Sequence, residues 1–183
     1  MYVVDCGPIT MGPIITSNIF KLQDISVVNE LNDYLTFEGE IAEEISMLCG
    51  PQIQEECFNA VSRIPFVVGS VMRTSGGEYA HEIIHAVVCE RGKKSDFLDL
   101  CDATRNAILL AESGGLSSII FPAIGSGVGG LTSKEAIFTI LEHIQYVVYN
   151  ANFMFLKNIQ FCARNSEELE LFQKYFKEIF RNI

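Results

Sequence analysis

A chain of 183 residues, 49% hydrophobic and 20% charged, is long enough to build one compact domain around a sizeable core. Its 23 Asp and Glu against 13 Lys and Arg give a formal charge of −10, which repels a phosphate backbone at long range and argues against duplex nucleic acid as a partner. Cys6, Cys49, Cys57, Cys89, Cys101 and Cys162 form no CxxC or Cys/His cluster, and no apolar run reaches membrane-spanning length, so free buried thiols, no metal centre and a nuclear or cytoplasmic setting are expected.

In chain order, residues 1–13, with Gly7, Pro8, Gly12 and Pro13, read as an irregular lead-in that holds a short strand-like run at 2–4. Further strand-like runs follow at 14–22, 25–28, 66–72, 82–88, 117–121 and 158–162. Helical spacing fills the gaps: Ile41, Ile45 and Leu48; Leu98, Cys101, Ile108 and Leu109; Ala136, Ile140, Leu141 and Ile144; Leu169, Phe172, Phe176 and Ile179. Ser95, Thr132 with Ser133, and Asn165 or Ser166 mark helix starts, each with an acidic residue close behind. Such alternation predicts a single domain over 1–183, a largely parallel α/β sheet covered by helices on both faces.

The richest local signal is SSIIFPAIGSGVGGL, an apolar run followed by Pro122 and then Gly125, Gly127, Gly129 and Gly130. Loops after strand ends are the ligand edge of an open α/β sheet, and glycines there let backbone N–H groups turn toward an anion. The helix beginning near Thr132 is expected to add its positive end, making a phosphate or diphosphate the natural guest. No Gly-Lys-Ser/Thr closes the loop, which excludes a Walker A site. A bare GxGxxG is present, but the proline and the missing strand-end acid argue against a dinucleotide fold. A tight turn with no ligand is the competing reading.

FPAIGSGVGGL resembles the second ligand loop of macrodomains, the ADP-ribose-binding modules. VVNELN at 27–32 is similar to that family's Val-Asn-Ala-Ala-Asn strand end, CGPQIQEEC to its Gly-Pro helix, and GSVMRTSGGEYAHEIIHAV to its segment ending Ile-His-Ala-Val. The order and spacing of these matches run from about residue 17 to 180. The resemblance implies a three-layer α/β/α sandwich with a mixed central sheet. Within the family, the likeness is greatest to macrodomains of poly(ADP-ribose) polymerases and of the macrodomain-bearing histone variant.

The resemblance implies a ligand site of Asn18, Ile19, Asn29, Asn32, Gly39, Glu40, Ile41, Pro122, Ala123, Ile124, Gly125, Ser126, Gly127, Val128, Gly129 and Arg164, with no catalytic residue, metal or cofactor. Asn18 stands where an adenine-binding aspartate is expected and keeps an acceptor oxygen without the charge. Asn32 matches the asparagine that faces the distal ribose, although an asparagine at a strand end also ties turns. Arg164 takes the place of an aromatic ring that stacks on adenine; a guanidinium plane also stacks, and a solvated surface arginine is the alternative. His85 matches a structural histidine.

The departure from the family is LTFEGEIAEEI at 35–45, where a glycine-rich phosphate loop is expected. Only Gly39 remains, among Glu38, Glu40, Glu43 and Glu44, and Ala42 falls where an aspartate would orient a water. These residues either repel a diphosphate or simply complement a helix N-terminus. The expectation is a module that recognises ADP-ribose or ADP-ribosylated proteins, within a larger multidomain protein, with little or no hydrolysis. An ADP-ribosyl-protein hydrolase and a degenerate, protein-binding scaffold are the alternatives.

Overall fold

A computed structural model describes residues 3–15, 25–77 and 79–181. Twelve elements follow in order: β1 (Val4–Cys6), β2 (Ile9–Ile15), β3 (Ser26–Asn32), α1 (Glu40–Cys49), α2 (Pro51–Val61), β4 (Val71–Ser75), β5 (Glu82–Cys89), α3 (Phe97–Ser113), β6 (Ser118–Phe121), α4 (Ser133–Asn150), β7 (Asn158–Cys162) and α5 (Ser166–Ile179). The strands form one seven-stranded sheet in the order β1-β2-β7-β6-β3-β5-β4. Only the outer pairs, β1 with β2 and β4 with β5, are antiparallel; the inner ladders are parallel. The fold is therefore a mixed α/β/α sandwich.

Side-chain alternation along the strands divides the core between two faces. Val28, Ile84, Ile119 and Phe161 join the larger cluster beneath α3, α4 and α5, whereas Val27, Ile83, Ile120 and Cys162 pack with Ile41, Ile45 and Ile53 of α1 and α2. All seven residues of β3 are buried, as expected of a central strand covered on both sides. No disulfide joins the six cysteines, five of which are buried and Cys101 partly so.

The irregular lead-in expected over 1–13 is, in its described part, a paired edge: residues 4–6 and 9–15 form a hairpin, with Val4 opposite Met11 and Cys6 opposite Ile9. The glycines and prolines that suggested irregularity serve this hairpin. Gly7, at φ 67°, makes the turn, while Gly12, at φ 101°, and Pro13 lie where the β2–β7 register shifts between Met11 and Ile14. The 66–72 run also needs correction: its pairing begins only at Val71, after a turn closed by Ser70 N–H to Val67 O and by Gly69 at φ 84°. The run expected at 14–22 contributes Ile14 and Ile15, and its remainder lies outside the described residues. Periodicity alone did not mark α2, although Gly50 before it and Pro51 in its first turn are the usual start signals.

Candidate functional site

The parallel strands β3, β5, β6 and β7 all end at one edge, where the loops after β3, β6 and β7 meet. Gly39 opens α1 with φ 96° and no side-chain cap, leaving the first-turn N–H groups of Glu40, Ile41 and Ala42 for an external acceptor. The 125–129 loop faces it closely: a Cβ on Gly39 would lie 3.5 Å from the Val128 nitrogen. The Ile41 and Ala42 side chains point into the core, with 3% and 1% exposure, so only their backbone is available to a ligand. Glu38, Glu40, Glu43 and Glu44 are all exposed.

The glycine loop hangs from the core through Pro122, Ala123 and Ile124, which are buried. Ser126 donates from both N–H and Oγ to the Ala123 carbonyl, at 3.2 and 2.7 Å. Leu131 N–H returns to Gly125 O at 2.9 Å, and Ser95 N–H ties down Gly129 O at 2.8 Å. The loop's curvature leaves no room for side chains at two positions. A Cβ on Gly129 would stand 2.7 Å from Gly125 O, and one on Gly127 would stand 2.0 Å from Glu30 Oε1.

Glu30 is the residue that the sequence reading missed. It lies in the middle of a buried strand with 2% exposure, and its Oε2 accepts the Gly125 N–H at 2.6 Å. The N–H groups of Gly127 and Gly129 also favour the charged form of this carboxylate, less than that of Gly125 does. Burial drives the Glu30 carboxyl above its ordinary value, against those three N–H groups and the nearby Arg164 charge. The available signal was an acid inside a central apolar run, since unpaired buried acids are rare.

The positive helix end at this edge belongs to α1 and not to α4, which corrects the expectation placed on Thr132. Thr132 and Glu135 close the α4 N-terminus with a reciprocal capping box, and the Glu135 carboxylate already complements its dipole.

Arg164 crosses the opening. Its Nη2 donates to Ser126 Oγ at 2.9 Å, its Nε to Glu168 Oε1 at 3.0 Å, and its Nη1 lies 3.5 Å from Glu40 Oε2. Nη2 also pairs with Glu168 Oε1, and the Arg164 N–H donates to Glu168 Oε2 at 2.9 Å. Burial opposes charge on Glu168, but the Arg164 bonds, with one from Ser133 Oγ, outweigh it and hold that carboxyl below its usual value. Arg164 is thus a tethered bridge between α5 and the glycine loop, not a solvated surface side chain.

The two matched asparagines are both fully buried and both engaged. Asn29 Nδ2 donates to His85 Nδ1 at 3.1 Å, which places the ring proton on Nε2, where it bonds Thr74 Oγ1 at 2.8 Å. Desolvation lowers His85 to about 3, so it is neutral and structural. Asn32 Oδ1 accepts from the Tyr34 and Thr36 N–H groups at 3.0 and 3.4 Å, and its Nδ2 donates to Thr36 Oγ1 at 2.6 Å. Asn32 therefore ties the turn that leads to Gly39. Asn18 and Ile19 lie outside the described residues. Among the described residues no His, Cys, Asp or Glu group is arranged to hold a metal, and no helix is long and apolar enough to cross a membrane.

Comparison with known proteins agrees with this geometry. Residues 28–140 match the Macro domain family. A protein of Aeropyrum pernix is 33% identical over 120 residues, covering 64% of this chain and 62% of that protein. One of Thermotoga maritima is 30% identical over 169 residues, covering 89% of this chain but 28% of its own length. Among solved structures, a variant of the Oceanobacillus iheyensis macrodomain with ADPR superimposes with a TM-score of 0.87 at 23% identity, covering 99% of each chain. These relatives are archaeal and bacterial, and they lend no support to the finer likeness to polymerase and histone-variant macrodomains.

Proposed function

The chain belongs to the macrodomain family, and from that premise we propose that it is a recognition module for ADP-ribose, free or attached to protein, with little or no hydrolase activity. The observation that carries this reading is the pair of backbone cradles at one sheet edge: the uncapped α1 start at Gly39 and the 125–129 loop, close enough to grip one diphosphate between them. Arg164, held against Ser126, supplies the positive charge beside it. A ligand that brings its phosphates to this cleft, as ADPR is named with the Oceanobacillus iheyensis protein, fits the chemistry of both loops.

Hydrolysis needs a group that orients water or moves a proton at the anomeric carbon, which is typically worth about 10²–10⁴-fold in rate. Ala42 offers neither and is buried, and Asn32 is occupied within its turn. The deciding experiment is calorimetric titration with ADP-ribose beside a gel assay on mono-ADP-ribosylated protein. Saturable binding with negligible release is expected; rapid release at enzyme levels far below substrate would make the chain a hydrolase. The protein-binding scaffold gains one specific argument, the carboxylate already resting in the glycine loop, and complete indifference to ADP-ribose would favour it.

A further inference from the structure

Glu30 does not belong to the ligand set that the family resemblance implies, and no first-turn or capping role explains it. It is a carboxylate on the central strand, 2% exposed, that reaches into the concavity of the glycine loop and takes the Gly125 N–H at 2.6 Å. Gly127 is tight against it, since a Cβ there would lie 2.0 Å from Oε1. The loop's small residue at this position is therefore required by the chain's own carboxylate, before any ligand is considered.

A set of converging N–H groups holds one anion well and two badly, because like charges a few ångströms apart in a poorly hydrated cleft repel strongly. We infer that Glu30 is a resident anion that occupies the phosphate position of the glycine loop, and that a diphosphate ligand binds there only by displacing its carboxylate from the Gly125 N–H and from its place against Gly127. The inference rests on the reading of this cleft as a diphosphate site. Two consequences follow from the same contacts. The loop is held in its anion-binding shape while empty of ligand, and part of each ligand's binding energy goes to moving Glu30. Glu30 thereby selects for ligands with enough contacts elsewhere, on sugar and base, to offset that cost. Weak phosphate-only anions are rejected.

The test uses Glu30→Gln and Glu30→Ala in the whole chain, with inorganic pyrophosphate, ADP-ribose and adenosine as probes. A charge-assisted hydrogen bond regained by the ligand is worth roughly a factor of ten or more in affinity. Both variants should therefore bind pyrophosphate and ADP-ribose at least about tenfold more tightly than the parent, with adenosine binding unmoved. A variant that keeps its folded circular dichroism yet binds pyrophosphate no more tightly overturns the inference. A parent chain that binds ADP-ribose with variants no better sinks the inference and leaves the recognition reading intact. A parent that ignores ADP-ribose while Glu30→Ala gains pyrophosphate does the reverse. Carbon-13 spectra of the parent add a measurement that needs no variant: the Glu30 carboxyl signal must move on saturation with ADP-ribose, and an unmoved signal at saturation also overturns the inference.

Discussion

Gly39 and Val128 bring the two cradles of the cleft together: a Cβ built on Gly39 would come to rest 3.5 Å from the backbone nitrogen of Val128. A side chain at residue 39 would thus stand in the gap between the α1 start and the 125–129 loop. Gly39 also sits at φ 96°, a region that a branched L-residue adopts only at a cost of about 1–2 kcal/mol. Gly39→Val should lower unfolding free energy by that amount in urea and reduce ADP-ribose affinity by at least about tenfold. Undiminished affinity in calorimetry would remove the α1 start from the site.

Arg164 and Glu168 form the most buried ion pair of the cleft, with Glu168 at 1% exposure and the Arg164 side chain at 23%. Removing one partner of such a pair leaves a stranded charge, whereas removing both with apolar replacements of similar size is often neutral. Arg164→Ala should cost about 3 kcal/mol, toward the low end for buried pairs because Arg164 is partly solvated. The Arg164→Met, Glu168→Leu double variant should recover most of that loss in chemical denaturation. The single variant should also weaken ADP-ribose binding, since Ser126 loses its tie to α5. A double variant as unstable as the single one would mean that the pair itself contributes net stability.

His85 predicts a pH dependence of stability whose sign is fixed by its burial. It is neutral in the fold, lowered from 6.5 to about 3, so below pH 6.5 the unfolded chain binds a proton that the native chain does not. Stability is therefore full above pH 6.5 and falls as pH drops toward 3, by roughly 1.4 kcal/mol per unit from this residue. His85→Gln, which can still donate to and accept from Asn29 and Thr74, should flatten the slope between about pH 6 and 4 by about one proton. Identical slopes in the two proteins would show that His85 titrates normally.

Hydrophobic patterning was sufficient for the layered fold because β5, β6 and β7 and four of the helices carry their burial in apolar runs or at a period of 3.6. It failed where backbone geometry, not side-chain pattern, makes the element. The β1–β2 hairpin is built around Gly7, Gly12 and Pro13, residues that read as breakers until their turn and bulge are seen. The candidate site was legible for the same reason in reverse, since Gly125, Gly127 and Gly129 announce a backbone cradle. What occupies that cradle was not legible. Glu30 lies within VVNELN and meets Gly125 across 95 residues of chain, and no local spacing encodes that contact. Nor did composition reveal that Arg164 is clamped by Glu168, because only the β7–α5 turn sets their directions.

The acidic α1 start is the place where this chain departs most from the glycine-rich pattern that the family resemblance implies, and its geometry bounds the effect. Glu38 is drawn aside by Thr36 Oγ1 at 2.9 Å and by Arg91 Nε at 3.3 Å, while the Glu40 side chain is 89% exposed and only grazes Arg164. Glu43 and Glu44 are exposed on the helix surface. Solvated carboxylates in these positions act on a diphosphate through water, so their repulsion is small and screened. Replacing Glu38, Glu40, Glu43 and Glu44 together with Gln should tighten ADP-ribose binding by about two- to fivefold at low salt, with the gain fading as salt approaches about 0.5 M. The gain should be smaller than that of Glu30→Ala, because only Glu30 competes for the same N–H groups. A quadruple variant that outperforms Glu30→Ala would relocate the opposing charge from the glycine loop to the α1 surface.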